Sequence, residues 1–172
     1  HLVGNTGLFP QQEIDRAAWI THPDDAAGGR GVRVLRFGID PVFHNPVGSR
    51  RLRKLPHVIF SGSWMRKFVV RCKELAAMFD GVLDAHVGLT VIDRFFDLHS
   101  DERYAYPDKY FRYCHPAVDH DKLQKLHKRF DWAVNINTVK NSQTMFANRG
   151  YELQAAGNLL LSNYSIGVNS LL

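Results

Sequence analysis

The chain has 172 residues, 45% hydrophobic and 23% charged, a composition that suits a globular domain with its own core and excludes a disordered or low-complexity chain. No run reaches the ~20 apolar residues of a membrane-crossing helix, and no signal-peptide pattern is present. The two cysteines, Cys72 and Cys114, fall in no metal or redox spacing, so a reducing, cytoplasmic setting fits, while the net charge of +5 suits a phosphorylated ligand, an anionic surface or nucleic acid.

The N-terminal stretch is glycine- and proline-punctuated up to a strand at 32–35, which Gly38, Asp40 and Pro41 close with turn chemistry. Residues 45–56 read as a linker, with a domain boundary near Pro56. Residues 1–55 are then the tail of a preceding domain plus its linker, and 56–172 a second domain. Arg50, Arg51, Arg53 and Lys54 form a basic run in that linker. Its default reading is a solvated face; the alternative is contact with a partner or with a lipid surface, such as the inner face of a membrane.

From His57 onward, strands and helices alternate. Residues 57–60 read as a strand, followed by the small-residue loop Ser61, Gly62, Ser63. A helix is expected over 65–80, with Phe68, Val69, Cys72, Leu75, Ala76 and Phe79 inward at spacings of three and four, and Gly81 stopping it. A strand follows at 88–92. Residues 95–112 are aromatic and irregular, with a short helix after Pro107 and a short strand within 113–118. Asp119 is placed to cap a helix carrying Leu123, Leu126 and Phe130 inward. A strand at 132–136, a polar loop at 137–142, a helix over 143–156 ended by Gly157, and a buried strand at 159–161 complete the pattern. Strand–helix alternation at this spacing predicts an α/β fold: a Rossmann-like parallel sheet with helices on both faces. Ligands of such sheets sit beyond the carboxyl ends of the strands, here 61–66, 93–97 and 137–145.

Two of those segments have the makings of an anion site. Ser63 and Arg66 lie where a strand turns into a helix, so Gly62 admits close backbone approach and the helix start offers N–H groups. The loop with Lys140, Ser142, Gln143, Thr144 and Met145 has the same character. In the helix after it, Asn148 and Glu152 share a face, while Arg149 and Glu152 are spaced to pair. Neither loop carries a known glycine fingerprint, which counts against a dehydrogenase.

The stretch Thr144-Met145-Phe146-Ala147-Asn148-Arg149-Gly150-Tyr151-Glu152-Leu153-Gln154-Ala155-Ala156-Gly157, followed by an apolar strand, resembles the donor-binding, C-terminal domain of GT-B glycosyltransferases. The branch it is most similar to contains spore-maturation and wall- or capsule-polysaccharide transferases. Residues 34–41 and 60–64 resemble the crossing into that domain and its first strand. The resemblance implies a nucleotide-sugar donor and no further cofactor. Glu152 would hold the ribose, the 140–145 loop the pyrophosphate, Arg149 the helix or a phosphate, and Pro116, Ala117 and Val118 would lie near the base. The acceptor, a glycan or polyol-phosphate polymer, would bind the preceding domain, so the chain is expected to bind donor weakly and not to turn over alone. Retaining relatives carry a glutamate eight residues before the ribose glutamate; Thr144 stands there, so neither the sugar nor the stereochemistry follows. The competing reading is a nucleic-acid- or nucleotide-binding module without catalysis. The aromatics of 104–113 would suit it, but the acidic residues interleaved through 93–109 disfavour nucleic acid. The spacing of His115, His120 and His127 points to no metal site.

Overall fold

The computed structural model describes residues 2–4, 33–35, 38–142 and 146–169. The chain divides into two compact units: 39–136 with 149–163, and 1–38 with 137–148 and 164–172. In the smaller unit, β1 (Leu2–Gly4) and β2 (Arg33–Leu35) pair in parallel. Asn137 Oδ1 accepts the Ala147 N–H at 2.9 Å. The Lys140 carbonyl accepts the Ile166 N–H, also at 2.9 Å, where a short helix, Ile166–Asn169, begins.

The larger unit contains β3 (His57–Ser61), α1 (Val69–Asp84), β4 (Gly88–Asp93), α2 (Asp108–Phe111), β5 (Cys114–Pro116), α3 (His120–His127), β6 (Trp132–Asn135), α4 (Asn148–Ala155) and β7 (Leu159–Ser162). Its five strands are all parallel, in the order β5-β4-β3-β6-β7. Counted from β3, that order is 3-2-1-4-5, the doubly wound arrangement of a Rossmann-like sheet, which opens a crevice where the winding reverses.

Period-two alternation sorts the strand residues onto two apolar faces. Val58, Phe60, Leu89, Val91 and Val134 pack with Cys72, Leu75, Phe79 and Val82 of α1 and with Tyr106 and Tyr110. Ile59, Ile92 and Ala133 pack with Leu123, Phe130 and Leu153 on the other face. The Phe79 ring meets Phe60 and Tyr110 edge-on, with centroids 5.5 and 5.2 Å away. Each such large side chain contributes about 1.5–3 kcal/mol by leaving water.

The expected fold class holds, and several expected details do not. α1 begins at Val69 rather than Met65, because Met65 has a left-handed φ of 37° and 65–68 closes as a turn, Phe68 N–H to Met65 carbonyl. Val69 is therefore exposed. The helix also runs through Gly81 to Asp84, because burial of Val82, one turn beyond Phe79, outweighs the ~1 kcal/mol that an interior glycine costs. Asp119 sits at the N-cap of α3 without a capping hydrogen bond; its carboxylate takes Lys122 instead. The helix expected over 143–156 is observed as α4 from Asn148 on; Phe146 and Ala147 precede it outside the helix, and 143–145 lie outside the described residues. Gly157 does end it, at φ 93°. The strand at 159–161 is not buried: β7 closes one edge of the sheet, and Leu159 is exposed beside an exposed Trp132. Residues 45–56 belong to the larger unit, where Ser49 is buried and Leu55 packs under the second apolar face.

Candidate functional site

A cavity of about 380 Å³ opens over the carboxyl ends of β3, β4 and β5, within the range of small-ligand sites. The β3–α1 loop contributes Ser61, Gly62, Ser63 and Met65, and β4 and the turn after it contribute Ile92, Arg94 and Phe95. Ala117 and Val118 follow β5, His120 and Leu123 belong to α3, and Arg149 comes from α4. The lining holds two arginines and a histidine and no carboxylate.

The β3–α1 loop is held from the core side. Gly62 donates its N–H to the Ile92 carbonyl at 3.0 Å, and a Cβ there would stand 2.7 Å from Phe60 Cζ, so only glycine fits. The buried Tyr106 donates its hydroxyl to the Gly62 carbonyl at 2.7 Å. The buried Arg71 donates Nη1 to the Ser63 carbonyl at 3.0 Å. In a planar trans peptide the C=O and the following N–H point in opposite directions. Fixing those two carbonyls from the core side therefore turns the Ser63 and Trp64 N–H groups the other way, and among the described residues neither has a backbone partner. Ser63 lines the cavity, whereas Trp64 is buried and does not. Burial pushes the Tyr106 phenol well up, so it stays a donor. Burial pulls Arg71 down from its ordinary value, but a guanidinium remains a cation.

The Phe95 N–H donates to the buried Asp93 at the end of β4 at 3.1 Å. Burial raises the Asp93 carboxyl, and the Phe95 N–H and the nearby Ser63 hydroxyl lower it.

On the opposite wall, Arg149 donates Nη1 to Glu152 Oε2 at 2.6 Å, and His44 Nε2 lies 3.8 Å from Glu152 Oε1. Burial lowers Arg149 from its ordinary value; Glu152 raises it and the positive Arg94 lowers it again. His127, fully buried behind the cavity, is pushed down to about 3 by burial first and then by Arg149, His44 and His120. It is neutral at pH 7. Its Nδ1 faces Gln124 Oε1 at 3.3 Å and so carries the proton. Its Nε2 then accepts the Ser61 hydroxyl at 2.8 Å. Ser61 thus presents lone pairs, not a proton, to the cavity.

Of the residues singled out from sequence, Ser63, Ala117, Val118 and Arg149 line this one cavity. Pro116 ends β5 without lining it. Arg66 is exposed, with its N–H on the Arg103 carbonyl at 3.0 Å. Glu152 is buried against Arg149 rather than in the lining. Lys140, Ser142 and Asn148 belong to the smaller unit, and Gln143, Thr144 and Met145 lie outside the described residues. Sequence reasoning gave no binding role to Arg94, His120, Arg71, Tyr106 or His127, although it marked 93–97 as a ligand edge. Arg94 was within reach, being the first residue past β4 on the carboxyl edge. Arg71 and Tyr106 left no signal, because burial of a polar side chain behind a loop is not periodic. Among the described residues, no three His, Cys, Asp or Glu side chains converge as a metal centre requires, and no helix is long and apolar enough to cross a membrane.

No family model matches the chain, and neither the curated proteins nor the solved structures contain a significant match to it.

Proposed function

We propose that this cavity binds a nucleoside diphosphate and that the chain is the donor-binding part of a glycosyltransferase. The observation that carries the reading is the gathering of Ser63, Arg94 and Arg149 around one cavity with a lining free of carboxylates. The site stands where doubly wound sheets hold nucleotides. In this reading Arg94, Arg149 and Ser63 hold the diphosphate, and Ala117 and Val118 give the base an apolar wall. Glu152 holds Arg149 in place; taking a ribose as well would require it to share that bond. The diphosphate gains negative charge as its bond to the sugar breaks, and fixed donors in a partly desolvated site favour that charge more than the ground state. The nucleotide-sugar, and a glycan, cell-wall or capsule acceptor, come from the resemblance of 144–157 and of the strand after it to GT-B transferases.

Calorimetric titration with UDP, GDP, CDP and ADP tests this. Saturable binding of one nucleotide, weakened about tenfold or more in Arg149→Met and in Arg94→Met, supports the site. Binding that both variants leave intact, or none by any nucleotide, refutes it. Binding without sugar transfer to any polymer acceptor would reduce the reading to a nucleotide-binding module.

A further inference from the structure

A second open groove, of about 550 Å³, lies on the larger unit away from the cavity's lining. Helical spacing builds one of its walls. In and just after α3, Leu123, His127 and Phe130 turn inward, which leaves Lys122, Lys125, Leu126 and Arg129 on the outer face. Val47 and Leu52, on either side of the 3-10 turn Ser49–Arg51, form the other wall. Both are exposed, Val47 at 78% and Leu52 at 41%, and nearby Val42 is exposed at 77%. Three aliphatic side chains held in water are not an effect of a loose segment. The Ser49 N–H bonds the Pro46 carbonyl at 3.0 Å and the Leu52 N–H bonds the Ser49 carbonyl at 3.2 Å. Lys128 Nζ donates to Asn45 Oδ1 at 3.0 Å and to the Val47 carbonyl at 3.2 Å.

Lys122, Lys125, Lys128 and Arg129 line the groove with this apolar strip. Arg50, Arg51 and Arg53 belong to the same 47–53 segment but lie outside the lining, and among the described residues neither they nor Arg129 have a carboxylate partner. Lys122 and Lys125 pair with Asp119 and Asp121 on the helix surface, where such pairs are weak and easily exchanged. Exposed aliphatics flanked by three lysines and Arg129, with further arginines on the adjoining segment, match a lipid interface with anionic headgroups, where the charges meet phosphate and the side chains enter the acyl boundary. Nucleic acid would satisfy the arginines but offers nothing to Val47 and Leu52, and no aromatic ring lines the groove for bases to stack on.

We propose that the face formed by the outer side of α3 and the 47–53 segment docks on a bilayer carrying anionic lipid. The inference is independent of what the cavity binds.

The test is flotation of the 172-residue chain with vesicles of phosphatidylcholine alone and with vesicles containing about a third phosphatidylglycerol, at low and moderate salt. The chain should float with the anionic vesicles only. Each basic residue near such a surface is worth roughly fivefold in partitioning, so Arg51→Ala, Arg53→Ala and Arg129→Ala together should lower it on the order of a hundredfold. The charge-neutral pair Val47→Ser and Leu52→Ser should lower it roughly tenfold or more. Equal partitioning to both vesicle types, no partitioning, or binding that the serine pair leaves unchanged overturns the proposal. So does a single-stranded oligonucleotide that removes the chain from anionic vesicles and binds the serine pair as well as it binds the parent chain.

Discussion

His127 ties the stability of this fold to pH in a window that can be worked out from its surroundings. The side chain is fully buried and its pKa is pushed down to about 3, by burial and then by Arg149, His44 and His120. In the unfolded chain it returns to about 6.5. Below that value the unfolded state takes up a proton that the folded state refuses, so the contribution is fully present above pH 6.5 and is lost as the pH falls toward 3. Each unit of separation is worth about 1.4 kcal/mol, so the loss between pH 7 and pH 5 is about 2 kcal/mol. The assay is urea unfolding at pH 7, 6 and 5 for the parent chain and for His127→Gln, which cannot protonate. The parent chain should lose about 2 kcal/mol more than the variant over that interval. Equal losses would refute the argument, because they would mean that His127 protonates in the folded state without penalty.

Three further outcomes follow from the same geometry. Gly62→Ala places a Cβ 2.7 Å from the Phe60 ring and should destabilise by about 1–3 kcal/mol, read as a lower urea midpoint at unchanged slope. Tyr106→Phe removes the 2.7 Å bond to the Gly62 carbonyl and leaves that carbonyl without its donor. It should cost about 1–3 kcal/mol in unfolding free energy and weaken nucleoside diphosphate binding measured by calorimetry, because the following amide is no longer aimed. Arg149→Met deprives the buried Glu152 carboxylate of its 2.6 Å guanidinium partner and should cost about 3 kcal/mol. Thermal or urea unfolding checks it, and Glu152→Gln should cost less, since the guanidinium it leaves behind is 29% exposed and keeps part of its hydration, whereas the carboxylate is only 7% exposed.

The sequence was informative wherever one physical rule governed a whole segment. Unalternated apolar runs at 57–60, 88–92 and 132–136 marked parallel strands, and each is a strand in the larger unit. Spacing of three and four marked α1, and Gly157 marked the end of α4 because a φ of 93° suits glycine. The rule that ligands lie beyond strand carboxyl ends found the β3 loop and the turn after β4, while Ala117 and Val118 came from the resemblance. Element ends were less legible: Val82 carried α1 past Gly81, and the left-handed Met65 delayed its start. The 159–161 run read as buried, because composition cannot report that β7 has a neighbour on one side only.

What the sequence determined alone is therefore the alternation of parallel strands and helices, since periodic burial is a local property of the chain. What only the tertiary structure decided is which polar groups act together. Arg71 and Tyr106 lie 35 residues apart in sequence, yet they fix adjacent carbonyls from the core. Arg94 and Arg149 meet across one cavity although 55 positions separate them. Those pairings arise from the order in which the strands are laid side by side, and an aperiodic polar residue carries no mark of the neighbour that this order will give it.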